Sequence, residues 1–471
     1  MLQNILKGNN QLLFIILWTS LWLSVGTFPN DKPFFSQNLS LSDLFFKIRT
    51  YSPLIFLFIL AILIFNKKIN IKFNDKKFTF LFILIFIFQG IGLILNEKKT
   101  LEFSNWYLIL YAIISIFVAS NLTLENLKKI QYLNLFFIVL AFIIFIVPVY
   151  KTFFDINNLN LYMYYNKYWE DSSFGSPNSR VTGIARYCLI IVVFLYSYQL
   201  TNNIKKFHIF FFLLLTFFFF LNVWMLQSRL VIGSLILVFF SSLIIKNKKF
   251  NNIKIILFFL IISITVFYSF NKIQQIKSNL ILEKKFEQAI NEETTTNEET
   301  TTKESKKKKI IRLKEIEKLE INLNNEKSSR LSKIKNSSGR TTIWKKLIAS
   351  YDKSKIFGYG SQADREILIN KIDERNLDNN ASNAILYTFA SGGYFALICF
   401  IIMLFFTLIL NCKILIKNYY GYSLNFFELT AFLLINFLLI RQLFENSFAV
   451  FSLDLLIFLT NYFYLTRRLE K

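Results

Sequence analysis

Apolar residues occur along this chain in long runs that short polar segments separate. Runs of about 16 to 22 residues are long enough to cross a membrane as helices, and they predict about twelve transmembrane helices. The runs lie near 12–28, 52–66, 78–96, 105–120, 130–150, 184–200, 207–226, 230–245, 255–270, 385–410, 426–444 and 448–465. The first run has no Ala-x-Ala-like cleavage site, so we interpret it as a span. The pattern predicts an all-α polytopic membrane protein.

The composition agrees with this fold class. Of the 471 residues, 54% are hydrophobic and 56 are Phe, and the mean hydropathy is +0.43. The net charge of +24 would suggest a nucleic-acid partner in a soluble protein, but here Lys and Arg concentrate at the ends of apolar runs. With the N-terminus inside, the inner short loops carry about twice as many Lys and Arg as the outer ones. We therefore expect cytoplasmic termini and no nucleic-acid partner.

The runs divide the chain into three parts. Residues 1–270 hold the first nine predicted helices, 271–384 form a large outward-facing loop, and 385–471 hold the last three. Within the loop, 291–309 are of low complexity and are predicted to be disordered. Residues 310–335 show the apolar spacing of an amphipathic helix.

Four arginines fall on the predicted outer side. Arg180 and Arg186 lie at the outer end of the sixth helix, Arg229 lies in the tight turn after the seventh, and Arg340 lies in the large loop. Guanidinium groups are always charged and bind phosphates bidentately, so such a cluster suits a pyrophosphate. Each arginine taken singly also fits a side chain that extends to the lipid headgroups. Ser338 is a candidate N-cap for a helix with Arg340 in its first turn.

Two carboxylates near the last two helices are candidate site residues. Arg441 and Glu445 are four residues apart, which suits a pair on one helix face, and Asp454 lies about two turns into the last predicted helix. Glu445 or Asp454 is suited to position an acceptor hydroxyl or to orient an arginine. The simpler interpretation of Arg441 and Glu445 is mutual neutralisation at the membrane rim.

The cysteines do not indicate a metal site. Cys188, Cys399 and Cys412 are scattered, and no Cys-x-x-Cys spacing or cluster of His, Cys and carboxylates is present. We therefore expect neither a metal nor another cofactor.

A series of short motifs follows in a defined order from the sixth helix onwards. They are Arg180-Val181-Thr182-Gly183, Gln227-Ser228-Arg229, Ser338-Gly339-Arg340 with Trp344, Gly358-Tyr359-Gly360, Ser382-Asn383-Ala384-Ile385-Leu386 and Ser391-Gly392-Gly393. Their order, from about residue 140 to the end, resembles the O-antigen ligase and O-antigen polymerase superfamily. The Gly-Tyr-Gly motif lacks the strand and helix context of a nucleotide-binding loop.

This resemblance implies a fold like that of the C-type glycosyltransferases, in the bacterial inner membrane, with the active site facing the periplasm. It also implies metal-independent, inverting transfer of an oligosaccharide from a polyprenyl-pyrophosphate carrier. The partners it implies are this lipid-linked donor and the lipid bilayer, with a chain-length regulator as a further candidate.

The resemblance assigns roles by position. Arg229 and Arg340 match arginines thought to bind the donor pyrophosphate. Ser382, before Asn383, stands where ligases usually have His. With Glu445 added as the candidate acid or base, the predicted catalytic residues are Arg229, Arg340 and Glu445. The predicted substrate-binding residues are Arg180, Arg186, Ser382, Asn383, Trp344 and Asp454.

The chemistry of the implied substrate fits these residue types. A sugar on pyrophosphate already has a good leaving group, so the enzyme must mainly neutralise phosphate charge and align an acceptor hydroxyl. Glu445, Asp364 or the pyrophosphate itself could receive the acceptor proton. The missing imidazole favours a repeat-unit polymerase over a ligase. A polysaccharide transporter is the alternative of a different class, although the internal repeats typical of transporters are not evident.

Overall fold

The computed structural model describes residues 10–25, 41–66, 73–96, 103–154, 181–201, 206–226, 228–245, 252–296, 340–369 and 381–470. Within these ranges every regular element is a helix. The helices are α1 Asn10–Ser24, α2 Leu41–Phe65, α3 Lys76–Leu95, α4 Phe103–Asn121, α5 Leu124–Phe153, α6 Val181–Thr201, α7 Lys206–Met225, α8 Arg229–Ile244, α9 Asn252–Thr296, α10 Arg340–Ser350, α11 Ala363–Ile369, α12 Ala384–Tyr419, α13 Phe426–Arg441 and α14 Leu453–Leu469.

Each of the twelve apolar runs overlaps one of these helices, and within the described ranges this confirms the all-helical class. Among the described residues, four helical stretches are long and apolar enough to cross a membrane by length and composition: Lys76–Leu95, Leu124–Lys151, Gly183–Thr201 and Ala384–Tyr419. The count of twelve spans and the outward position of the large loop remain predictions.

The helix α9 is longer than its apolar run. The run ends near residue 270, whereas the helix continues to Thr296 and so includes the start of the predicted loop and of its low-complexity segment. This extension contains charged residues such as Lys284 and Glu287, so apolar runs alone do not predict it. Residues 297–335, with the predicted amphipathic helix, and Ser338 lie outside the described residues.

Buried polar side chains join α1, α5 and α14 in the middle of the bundle. The indole Nε1 atoms of Trp18 and Trp22 donate to Asn134 Oδ1 at 3.0 and 2.7 Å. Asn134 Nδ2 in turn donates to Thr460 Oγ1 at 3.2 Å. Lipid tails are as apolar as the helix surfaces, so the hydrophobic effect does not drive helices together within a bilayer. These hydrogen bonds therefore help to fix which helices associate.

Long-range contacts define two ends of the bundle. At one end, Asp75 caps α3 by accepting from Phe78 N, and it also accepts a 2.8 Å hydrogen bond from the hydroxyl of Tyr462, in the second half of α14. At the other end, Arg186 in α6 meets Asp454 at the start of α14. We call the end with Arg186 and Asp454 the site end and the end with Asp75 the opposite end.

At the site end, the segment 356–360 pairs with α12 by backbone hydrogen bonds. Tyr359 N donates to Ala390 O at 2.9 Å, Gly360 N to Ser391 O at 2.8 Å, and Tyr394 N to Ile356 O at 3.1 Å. The helix α12 can accept this segment because Gly393 leaves the helical conformation, with φ of 67°. The Gly-Tyr-Gly motif thus has a structural role, which is to hold the end of the large loop against α12.

Only glycine fits at the two closest points of this contact. A Cβ on Gly393 would lie 1.9 Å from Ile356 O, and a Cβ on Gly358, which also has a positive φ, would lie 2.6 Å from Gly393 N. Both neighbours are backbone atoms that cannot move without breaking the pairing.

We predict that Gly393→Ala destabilises the protein by more than the about 1–3 kcal/mol expected from the backbone conformation alone, because the clash adds to it. Thermal unfolding of the detergent-purified protein measures this. Gly233→Ala is the matched control, since a Cβ there meets nothing within 4 Å and a helix gains up to about 1 kcal/mol from the exchange. Equal melting temperatures for Gly393→Ala and the wild type would contradict the proposed contact.

Candidate functional site

The start of α12 is tied to the turn that follows α13. Asn383 caps α12 by accepting from Leu386 N at 3.0 Å, while its Nδ2 donates to Leu443 O at 3.0 Å. Asn383 N donates to Asn446 Oδ1 at 3.1 Å, and Ala384 N donates to Gln442 O at 2.9 Å. Asn383, which is predicted to bind substrate, therefore connects the start of α12 to the turn after α13.

Arg340 lies beside this connection between α12 and the turn after α13. It is the first residue of α10, and its Nη2 is 3.3 Å from Glu445 Oε1. The two side chains are 26% and 23% exposed, so the pair is accessible to a solute. A cation in the first turn opposes the helix dipole, and Glu445 offsets that cost. Phe444 adds a ring whose centroid is 6.0 Å from the guanidinium carbon.

The residues before Asn383 are held from the large loop. Trp344 Nε1 donates to Ala381 O at 2.8 Å, and Ala381 N donates to Asp364 Oδ2 at 2.8 Å. Asp364 and Glu445 are the two carboxylates predicted as proton acceptors. Asp364 is completely buried, whereas Glu445 is accessible. Ser382, between these anchors, has a φ of 44°, a left-handed conformation that few non-glycine residues adopt.

Behind this accessible layer lies a buried network of two arginines and one carboxylate. Arg186 Nη1 is 2.8 Å from Asp454 Oδ1, and Arg441 Nε is 2.8 Å from Asp454 Oδ2. The arginine side chains are 6% exposed and that of Asp454 is 2% exposed. Arg441 Nη1 has no hydrogen-bond partner among the described residues. The network therefore holds one positive charge in excess.

The network corrects three predictions. Arg441 does not pair with Glu445, because α13 ends at Arg441 and the chain turns before Glu445. Asp454 lies in the first turn of α14, since Ser452 is the N-cap, and not two turns into the helix. Arg186 is buried rather than extended to the headgroups. Asp454 contacts two arginines in the structure, and its role toward the substrate remains a prediction.

Two predicted site residues have no described side-chain geometry. Arg180 lies outside the described residues. Arg229 is the first residue of α8, after the N-cap Ser228, and its side chain is not described. Their roles therefore remain predictions from the sequence.

Sequence analysis missed two functional candidates, Arg441 and Asn446. Arg441 was considered only as the partner of Glu445, although an arginine at the end of an apolar run is costly and marks a site in its own right. No sequence pattern indicates a role for Asn446, because its contact with Asn383 links parts of the chain that are far apart in sequence.

The described residues are thus all-helical, with several helices apolar enough to cross a membrane, and they hold an accessible Arg340–Glu445 pair and a buried arginine–carboxylate network at one end of the bundle. A family model described as O-antigen ligase matches residues 214–401. This match confirms the resemblance to the O-antigen ligase and polymerase superfamily. No curated protein and no solved structure matches the chain. Proteins of this family are glycosyltransferase-like enzymes of the bacterial inner membrane that act on lipid-linked glycans.

We predict that Asp454→Asn destabilises the protein by about 3–5 kcal/mol, because it leaves two buried guanidinium groups without a counter-charge. Arg186→Gln should cost less, since Asp454 then keeps a one-to-one pair with Arg441. Membrane abundance and melting temperature of the purified variants measure the order.

Glu283→Gln, on an exposed position of α9, is the control and should change stability by no more than about 0.5 kcal/mol. Greater damage from Arg186→Gln than from Asp454→Asn would show that the shared carboxylate is not what stabilises the network.

Proposed function

We propose that this protein is a surface-polysaccharide polymerase that transfers a growing glycan from one polyprenyl-pyrophosphate carrier onto the next lipid-linked repeat unit. The observation that carries the proposal is the accessible Arg340–Glu445 pair at the turn 441–447. A cation and a carboxylate side by side supply the two functions needed, charge neutralisation of the leaving group and positioning of an acceptor hydroxyl.

In the proposed reaction, Arg340 binds the donor pyrophosphate, together with Arg229 and Arg180, which the sequence predicts to lie on the same side of the membrane. The phosphate charge grows as the bond between the anomeric carbon and the phosphate oxygen breaks, so guanidinium groups stabilise the transition state more than the ground state. Arg186 and Arg441 lie deeper, and their excess positive charge raises the potential that the phosphate meets. This scheme needs no metal, in keeping with the family resemblance.

Glu445 is the proposed partner of the acceptor. In the structure, the Glu445 carboxylate accepts a hydrogen bond from Arg340. Once the pyrophosphate takes over the guanidinium, Glu445 is released to accept the proton of the attacking hydroxyl. Attack from the face opposite to the pyrophosphate gives inversion at the anomeric carbon.

Ser382 supports a polymerase rather than a ligase. Its hydroxyl cannot replace an imidazole as a base at neutral pH, so a mechanism that relies on a base at this position is not available. The neighbours Ala381 and Asn383 are occupied in backbone contacts with Trp344 and the turn after α13. Transfer of the finished glycan to a lipid or protein acceptor is the second candidate function.

The site is proposed to face the periplasm. The Lys and Arg bias of the short loops favours a cytoplasmic position for the opposite end of the bundle, and the pyrophosphate of a translocated carrier is presented at the outer surface.

We predict that Arg340→Ala lowers the rate of polymerisation about 10²–10³-fold and so abolishes long glycan chains, because it removes a charge that acts in the transition state. The measurement is the glycan ladder of a deletion strain complemented with each variant at equal membrane abundance. Lys345→Ala, an exposed cation one turn further along α10, is the matched control and should give the wild-type ladder.

The same gel distinguishes the alternatives. In the deletion strain a polymerase leaves single repeat units at the cell surface, a ligase leaves polymer on the lipid carrier, and a transporter leaves repeat units inside the cell. A wild-type ladder from Arg340→Ala and from Arg229→Ala would contradict the proposed site.

Glu445 is tested by a separate series. We predict that Glu445→Gln shortens the glycan chains strongly and that Glu445→Asp restores part of their length, because a carboxylate at this position can accept the proton and a carboxamide cannot. Equal chain lengths in Glu445→Gln and the wild type would limit Glu445 to holding Arg340 in the empty site.

A further inference from the structure

A groove at the opposite end of the bundle is not used by the proposed reaction. It lies between α3, α12 and α14 and has a volume of about 520 Å³. This is within the range of about 300–1,000 Å³ that is typical of small-ligand sites. Its walls are partly apolar, with Phe406, Ile409 and Leu410 of α12.

The groove carries three lysines, Lys77 from α3 and Lys413 and Lys417 from α12. Lys413 and Lys417 are four residues apart, so they lie on one face of α12. Lys417 Nζ donates to Leu469 O at 3.0 Å. Within the described residues no ion pair or hydrogen bond engages the side chain of Lys77 or that of Lys413, and both residues are exposed.

The carboxylates of the groove offset only part of the charge of these lysines. Asp75 is already engaged, since it caps α3 and accepts from the Tyr462 hydroxyl. Glu470 is the second carboxylate, and it is exposed at the end of α14. Three ammonium groups against two carboxylates leave the groove with one positive charge in excess, so its chemistry suits an anion with an apolar portion.

The surface around the groove is suited to contact lipid. Along α12, Phe405, Leu408 and Ile416 are 61%, 51% and 55% exposed. Large apolar side chains at such exposure on a membrane-spanning helix face acyl chains. A ligand in the groove would therefore place its charge among the lysines and its apolar part along α12.

We propose that this groove binds the headgroup of one anionic diacyl phospholipid of the cytoplasmic leaflet. Basic pockets between helices on the cytoplasmic side of membrane proteins bind such headgroups. The bilayer supplies this ligand at high concentration, and the polyprenyl-pyrophosphate site is proposed for the other end of the bundle. The groove is thus a separate lipid site and not a part of the transfer site.

The test is native mass spectrometry of the full-length protein titrated with phosphatidylglycerol or with phosphatidylcholine. We expect the wild type to retain one phosphatidylglycerol more tightly than phosphatidylcholine. Each lysine near a membrane surface contributes about fivefold in affinity, so Lys77→Gln with Lys413→Gln should weaken the binding of phosphatidylglycerol roughly 25-fold and leave that of phosphatidylcholine unchanged. Lys417 is kept, because its hydrogen bond to Leu469 O also holds α14.

Lys129→Gln is the matched control, since Lys129 is exposed at the same end of the bundle but does not line the groove. An equal loss in this control would indicate a general surface effect, and no loss in the double variant would show that these two lysines do not hold the headgroup. Either result would overturn the proposal. A titration with undecaprenyl monophosphate provides the third arm. If it binds more tightly than phosphatidylglycerol and the double variant removes that binding, the groove belongs to the carrier lipid and the phospholipid assignment is wrong.

Discussion

The site end of this protein depends on one buried carboxylate that two guanidinium groups share. One carboxylate oxygen of Asp454 accepts a hydrogen bond from Arg186 of α6, and the other accepts one from Arg441 at the end of α13. A charge buried without a partner is so costly that none of the three can leave this arrangement alone. The three helices α6, α13 and α14 are therefore fixed relative to one another at this end, where a membrane protein otherwise has little hydrophobic driving force.

This constraint extends to the accessible residues through the backbone. Because Arg441 is fixed by Asp454, the turn that follows begins from a fixed point, and that turn presents Glu445 to Arg340 and Asn446 to the start of α12. A solute-accessible ion pair on its own contributes little to stability. The position of the Arg340–Glu445 pair is defined by the buried network behind it. A site that binds a charged substrate without rearranging needs its side chains to be fixed in this way.

The sequence predicted much of the fold and less of the site geometry. The apolar runs predicted twelve of the helices, because a helix that crosses a membrane needs a long uninterrupted apolar run. They failed where charge continues inside a helix, as in α9 beyond residue 270. Among the site residues, Arg340 and Glu445 were both identified, but their pairing was not, since 105 residues separate them. The pairing predicted from spacing, Arg441 with Glu445, was wrong because a spacing of four has meaning only within one helix.

The two ends of the bundle differ in the chemistry of their cations, and the difference matches the two ligands proposed. At the site end guanidinium groups are held by carboxylates, which suits an anion that must be bound in one orientation for reaction, because a planar fork defines geometry. At the opposite end the arginine Arg468 is engaged with Glu428, and the groove offers the flexible ammonium groups of Lys77 and Lys413. Ammonium groups act as point charges and tolerate many headgroup orientations, as binding to a fluid bilayer requires. Oriented chemistry at one face and loose attachment at the other are compatible within one enzyme.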